Sequence, residues 1–226
     1  MGKVAFFVDG GFLRKRVFYF KSFFVDGSNI RNYCLRHLLG DEVIYRIFYY
    51  DAPPLDRIGK TPFGNDIDFS EMPAAKKSHN LFDSIKETPN MALRLGKVSW
   101  QNDWVLKPES QRRLIEESSP KFSDKDFSPS VHQKAVDMKI GLDIATIAFK
   151  KLADRIVLIA GDSDFTPAAK LARVEGMHVT LDPLGNKVPD DLIEHIDVMH
   201  TPLDRENQND VHPSKKQFFV PCKKSL

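Results

Sequence analysis

The sequence predicts an α/β fold, a parallel sheet with helices on both of its faces. Short continuous apolar runs, such as KVAFFV (residues 3–8) and RIVLIA (155–160), alternate with helical patterns. Runs of this kind are typical of strands buried on both sides, and their alternation with helices favours a parallel sheet. With 226 residues, 42% hydrophobic and 28% charged, the chain has the composition of a globular protein that builds its own core.

The predicted elements follow one another with few interruptions in two stretches of the chain. Ser28 can cap one helix and Gly40 can stop it, while Pro167 in a first turn and Gly176 after a last turn bound another. FFVDGG (6–11) and FFVDGS (23–28) are near copies, and we assign the first strand to the earlier one because the later one leads into a helix. In chain order the elements are a strand at 3–8, helices at 12–20 and 28–39, a strand at 43–50, a helix at 140–152, a strand at 155–160, a helix at 167–174, a strand at 177–181 and a helical piece at 192–196.

Residues 52–92 interrupt this alternation. They contain five prolines and no long apolar periodicity, so we predict an insertion with one short helix near 79–87. After it, 95–106 is strand material with a possible hairpin turn at 101–103, and 116–130 is a polar linker. We therefore predict one domain over residues 1–200 with an insertion at about 52–92, followed by a flexible tail at 201–226.

Charge and composition exclude some classes of protein but do not select a partner. Residues 1–200 hold 28 basic and 28 acidic side chains, so the excess of positive charge lies in the tail and argues neither for nor against nucleic acid. The chain contains no apolar run of 18 residues, and two cysteines make neither a disulfide framework nor a zinc site. We predict a cytoplasmic protein with no membrane partner.

Acidic residues follow several predicted strands at the point where each strand ends. Asp9 follows KVAFFV, Asp51 follows VIYRIFYY, and Asp162 and Asp164 follow RIVLIA. Because ligands of open parallel sheets bind at the carboxyl ends of the strands, these carboxylates are candidates for one site. Any single one of them is also explained as a turn former or helix cap.

Two further acids belong to the segment KAVDMKIGLD. Asp137 lies at or just before the start of the long helix, and Asp143 comes six residues later. Six residues correspond to about 600° of helical rotation, so the two side chains do not share a face of a regular helix. Clustered carboxylates raise one another's pKa values unless a cation lies among them, and Mg²⁺ or Mn²⁺ suits such oxygen ligands. A metal held there activates water for attack on a phosphodiester.

The order of the segments VAFFVDGG, IFYYDAPP, KAVDMKIGLD and IVLIAGDSDF resembles the NYN domain family, the LabA-like branch of PIN-like nucleases, over about residues 3–200. The resemblance implies a Rossmann-like (PIN-like) fold and Mg²⁺- or Mn²⁺-dependent cleavage of RNA. It implies catalytic and metal-binding roles for Asp9, Asp137, Asp162 and Asp164, with Asp143 matching the second acid of the helix motif and Lys134 matching its basic residue, which can contact RNA phosphate.

One position departs from the family pattern. The first strand of the family usually continues as Asp-Gly-x-Asn, but Phe12 occupies the Asn position after Asp9, whereas Asp26 and Asn29 of the second copy keep the pattern. Either the assignment of the first acid or the role of the Asn is therefore open.

Other interpretations of the same residues remain. The chain is alternatively a non-catalytic RNA- or protein-binding regulatory module on the same fold, and a homo-oligomer is possible. A haloacid dehalogenase-type phosphatase is disfavoured because Gly11 occupies the position of its second acid. Arg14 and Arg16 can guide an RNA backbone or lie on a solvated helix face. Four aromatic residues can stack on bases or form core, namely Phe63, Phe69, Trp100 and Trp104.

Overall fold

The computed structural model describes residues 1–20, 25–117 and 121–202, and the predicted tail therefore lies almost wholly outside the described residues. Its strands are β1 (Lys3–Asp9), β2 (Val43–Asp51), β3 (Ile58–Lys60), β4 (Asp66–Asp68), β5 (Met91–Leu95), β6 (Lys97–Ser99), β7 (Trp104–Leu106), β8 (Phe127–Pro129), β9 (His132–Lys134), β10 (Arg155–Ile159), β11 (His178–Asp182) and β12 (Val198–Met199). Its α-helices are α1 (Gly10–Phe20), α2 (Gly27–Leu35), α3 (Pro73–Glu87), α4 (Pro108–Glu116), α5 (Val136–Phe149), α6 (Thr166–Val174) and α7 (Asp190–Ile193). Among the described residues, no helix is long and apolar enough to cross a membrane.

The chain divides into two compact units. The first comprises residues 1–51, 81–95 and the chain from Ala135 onward, and the second comprises 52–80 and 96–134. The second unit therefore takes in most of the stretch that the sequence marks as an insertion, together with the 39 residues of 96–134 beyond it.

A six-stranded parallel sheet forms the centre of the first unit, with the strand order β12-β11-β10-β1-β2-β5. β1 pairs with β10 on one side, where Val8 lies opposite Ile159, and with β2 on the other. The predicted fold class, a parallel α/β sheet, is confirmed, and β1 comes from the first of the two near copies.

Helices cover both faces of this sheet because its central strands carry apolar side chains on both sides. In β1, Ala5 and Phe7 face a core built with α5, α6 and α7, while Val4, Phe6 and Val8 face a core built with α1, α2 and α3. All five side chains are fully buried. Burial on alternating sides explains why the strand is a continuous apolar run instead of an alternation of polar and apolar residues.

The helix boundaries follow local chemistry. Pro167 lies in the first turn of α6 and Gly176 follows its end with φ of 85°, as predicted. For α2 the prediction that Ser28 caps the helix was wrong, because the Asp26 carboxylate accepts the Asn29 N–H at 2.7 Å and forms the N-cap. The Asp-Gly-Ser-Asn copy is thus a helix start in this protein.

The second unit contains three short antiparallel ribbons, β3–β4, β6–β9 and β7–β8. The predicted hairpin within 95–106 was wrong, since β6 and β7 each pair with a strand about 25 to 35 residues further along. Phe69 and Trp100 are buried, with ring centroids 4.9 Å apart, and the Arg57 guanidinium stacks 4.7 Å above the Trp100 ring. These aromatic side chains are therefore core residues of the second unit.

Candidate acidic site at the carboxyl edge of the sheet

The order of the strands reverses between β1 and β10. From β1 the sheet continues through β2 and β5 in one direction, and from β10 through β11 and β12 in the other. In open α/β sheets such a switch point leaves a crevice at the carboxyl ends of the two strands, where ligands bind. Asp9 is the last residue of β1, and Asp162 follows the end of β10 by three residues. Two of the predicted acids are therefore brought to the switch point.

The turn after β1 positions the Asp9 carboxylate. Its Oδ1 accepts the Phe12 N–H at 3.0 Å at the start of α1. A Cβ atom on Gly10 would lie 2.5 Å from the Tyr49 ring, and one on Gly161 would lie 2.6 Å from the Phe12 ring. Both glycines are therefore required by close packing at the carboxyl ends of β1 and β10.

The segment after β10 presents Asp162 and Asp164. Residues Ser163–Phe165 form a turn of 3-10 helix, and the Asp162 carboxylate caps it by accepting the Asp164 N–H at 3.2 Å. Phe165 is buried in the core and anchors the turn, whereas both carboxylates are exposed.

Asp137 lies in the first turn of α5, and its electrostatics connect it to the other acids. Desolvation of its carboxyl group raises its pKa, and the negative charges of Asp162 and Asp164 raise it further. The pKa of Asp9 is likewise raised by burial and by the charge of Asp137, although the Phe12 N–H opposes this. Asp137 therefore interacts electrostatically with each of the other three acids, as expected for groups that share a site.

Two other acids that the sequence marked are neutralised by cations. The Asp143 carboxylate accepts the Tyr50 hydroxyl at 2.8 Å and the Arg94 guanidinium at 3.2 Å. Asp51 is buried and accepts two bonds from Arg14. Within the described residues, by contrast, the exposed carboxylates of Asp137, Asp162 and Asp164 form no ion pair with Lys, Arg or His. Their negative charge is thus left available to solvent or to a ligand.

The three basic residues singled out from the sequence lie in different surroundings. Arg14 pairs with Asp51, and the Arg16 guanidinium donates to the Leu184 carbonyl at 3.0 and 3.2 Å. Lys134 is exposed at the end of β9, in the second unit. RNA binding by these three side chains stays a prediction.

One strand-end acid was not singled out from the sequence. Asp182 ends β11 and is fully buried, where it accepts hydrogen bonds from Tyr33 at 2.5 Å, Thr201 at 2.6 Å and the Leu184 N–H at 2.9 Å, with the His37 ring 3.1 Å away. The same strand-end pattern that marks Asp51 would have marked it. Its burial and its partners identify it as a structural residue.

Side chains suited to a metal are present, although they do not form a closed set of ligands. In residues 1–20, 25–117 and 121–202, no three His, Cys, Asp or Glu side chains converge as a ready-made metal-binding group. The donors at the switch point are all carboxylates, which is the oxygen chemistry that Mg²⁺ and Mn²⁺ favour.

Comparison with known proteins identifies the family. The NYN domain model matches residues 67–204, more than half of the chain, and this range contains Asp137, Asp143, Asp162 and Asp164 but not Asp9. The fold of this chain is similar to that in the crystal structure of a protein of unknown function from Vibrio parahaemolyticus. The TM-score is 0.50 and the sequence identity is 17%, over 90% of this chain and 94% of that chain. None of the curated proteins compared matches the chain. NYN domains are PIN-like, are generally ribonucleases and typically use divalent metals. The predicted family is therefore confirmed, and the chain belongs to the NYN domain family.

Proposed function

We propose that this protein is a divalent-metal-dependent ribonuclease of the LabA-like branch, acting at the acidic switch point. The observation that carries the proposal is that Asp9 and Asp162 follow the two strands of the switch point, and that Asp137 is close enough to feel the charges of Asp162 and Asp164 and to act on Asp9. Three of these lack an internal cation among the described residues, whereas the neighbouring strand-end acid Asp51 has one. Uncompensated like charges at a ligand crevice favour the binding of a cation.

The donor set suits Mg²⁺ or Mn²⁺, and Asp9, Asp137, Asp162 and Asp164 would hold the ion directly or through water. The bound ion would supply an activated water and neutralise charge on a phosphodiester. The chain itself orients two of these donors before any ion arrives. The Phe12 N–H fixes one oxygen of Asp9, and the Asp164 N–H fixes one oxygen of Asp162.

A non-catalytic RNA-binding module is the second candidate function. Two observations favour it, namely Phe12 at the position where the family pattern has Asn, and the absence of a ready-made metal group among the described residues. In this case the same acids would leave RNA intact.

The test is cleavage of labelled single-stranded RNA with Mn²⁺ or Mg²⁺. We expect the wild-type chain to cut RNA, Asp162→Asn and EDTA to abolish cutting, and the exposed Asp190→Asn to leave it unchanged as the matched control. Wild type that binds RNA without cutting would support the non-catalytic module. Cutting that survives in Asp162→Asn would contradict the assignment of this acid.

A further inference from the structure

The second unit carries exposed phenylalanine rings on its surface. Phe63 is 56% exposed and Phe122 is 51% exposed, and the half-buried Phe127 lies between them. The centroid of the Phe127 ring is 6.4 Å from that of Phe63 and 6.3 Å from that of Phe122. We call these three rings the aromatic platform. It is separate from the buried rings of Phe69 and Trp100, which form core in the same unit.

A polar framework holds two segments of the platform together. The turn that carries Phe63 is fixed to the Asp124 carboxylate, which accepts the Phe63 N–H at 3.1 Å and the Asn65 side-chain amide at 2.6 Å. These bonds tie the turn that carries Phe63 to the segment that carries Phe122 and Phe127. A rigid aromatic surface loses little conformational entropy when a ligand stacks on it.

The acidic and basic side chains of the segment KFSDKDF (121–127) differ in their surroundings. The Asp126 carboxylate is buried, where it accepts bonds from Arg113 at 2.6 Å and from the Ser123 N–H at 2.8 Å. The Asp124 carboxylate is only partly buried and accepts the two bonds described above, whereas Lys121, Phe122 and Lys125 are exposed. Both carboxylates therefore accept hydrogen bonds from the protein, and Asp126 is paired with Arg113, while the side chains of Lys121, Phe122 and Lys125 face solvent.

Exposed aromatic rings on a segment that also carries exposed lysines fit one kind of partner best. Bases of a single strand stack on aromatic side chains whatever their sequence, and lysines attract the phosphates between the bases. The two exposed lysines beside the exposed Phe122 favour a ligand that carries both bases and phosphates over a purely apolar protein surface. We propose that the aromatic platform of Phe63, Phe122 and Phe127, with Lys121 and Lys125, binds single-stranded RNA by base stacking. This inference rests on RNA being the ligand, as in the proposed function.

The test measures binding of a fluorescent single-stranded RNA to the full chain, by anisotropy, in an Asp162→Asn background that keeps the RNA intact. Phe63→Leu with Phe122→Leu removes both exposed rings but keeps apolar side chains, so folding is preserved. Since one base stacked on an aromatic ring is worth a severalfold to about a hundredfold change in affinity, we expect the double variant to bind at least about tenfold more weakly. Phe149→Leu, an exposed phenylalanine on α5, is the matched control and should bind as its parent does.

Two more measurements identify the mode of binding. Lys121→Ala with Lys125→Ala should make the slope of log affinity against log salt less negative by roughly 0.7 per lysine. Duplex RNA should compete poorly, because its bases are already stacked. Equal competition by duplex, or unchanged affinity of the leucine variant, would overturn the platform while wild-type cleavage still supports the proposed function. Failure of the parent chain to bind any RNA would overturn the platform, and if the wild-type chain also neither binds nor cuts RNA, the proposed function is overturned with it.

Discussion

The pair formed by Arg14 and Asp51 provides a direct test of whether a basic residue beside the site supports the fold or contacts RNA. Asp51 is 2% exposed and accepts two bonds from Arg14, whose side chain is 37% exposed, and a third from the Tyr49 hydroxyl at 3.3 Å. Removing one partner of a buried ion pair costs about 3–5 kcal/mol. Because Arg14 is partly exposed, we expect Arg14→Met to cost about 3 kcal/mol, which lowers Tm by about 6–12 °C in a chain of this size.

The measurement is urea or thermal unfolding of wild type, Arg14→Met, Asp51→Asn and the double variant, with RNA affinity determined in parallel. The double variant should be more stable than Arg14→Met, because the buried carboxylate no longer carries a charge. Arg112→Met, an exposed arginine of α4, should change stability by no more than about 0.5 kcal/mol. Unchanged stability of Arg14→Met together with weakened RNA binding would refute the structural role and support the RNA-binding prediction for this residue.

Two further predictions concern acids with shifted pKa values. In metal-free protein at pH 7, Asp137→Asn should raise Tm by about 1–2 °C. The raised pKa of Asp137 means that its ionisation destabilises the folded state. The gain is small because repulsion between exposed charges is worth under about 1 kcal/mol. The gain should vanish as pH falls and wild-type Asp137 becomes protonated, and a Tm below wild type would contradict the repulsion. Burial raises the pKa of Glu42, but hydrogen bonds from Arg155 and the Leu39 N–H lower it below its usual value. Glu42→Gln should therefore lower the free energy of unfolding by about 1–3 kcal/mol at pH 7. This difference from wild type should shrink as pH falls below about 4, because the wild-type carboxyl then becomes protonated. A difference that is the same at pH 7 and below about pH 4 would argue against a role for the charge.

The central strands were predictable because strands buried on both faces consist mainly of apolar residues. β1, β2, β10 and β11 are continuous or nearly continuous apolar runs, and each was placed within about one residue of its observed bounds. The edge strand β5 was not predicted, since it is only partly buried and follows directly on α3. Its sequence MALRL fits a helix as well as a strand.

Pairing between distant segments was beyond what local pattern reveals. β6 and β7 lie close together in sequence and share strand-forming residues, which favours a hairpin. In the structure they pair with β9 and β8 instead. Local propensity identifies that a segment is extended, but the partner is chosen by packing within the second unit.

The positions of the candidate acids were predictable from the sequence, but which of them are neutralised by basic side chains was not. Asp9 and Asp51 look alike in sequence, since each ends an apolar strand. Only the structure distinguishes them, because a residue one helical turn into α1, Arg14, reaches Asp51 and neutralises it. A strand-end carboxylate therefore becomes a candidate ligand only after the basic side chains of neighbouring elements have been placed.

The switch point differs from the rest of the sheet edge in how its carboxylates are paired. Asp51, Asp143 and Asp182 lie at the same sheet or on its helices, and each is held by hydrogen-bond donors from the protein. Among the described residues neither Asp137 nor Asp162 forms an ion pair with a basic side chain, and the charge of Asp162 raises the pKa of Asp137 beyond the effect of burial. A fold that supplies partners for its other sheet-edge acids but leaves these two exposed at a topological crevice retains a local excess of negative charge. Such an excess is offset when a divalent cation binds, and this is why metal binding and folding stability are expected to be coupled at this site.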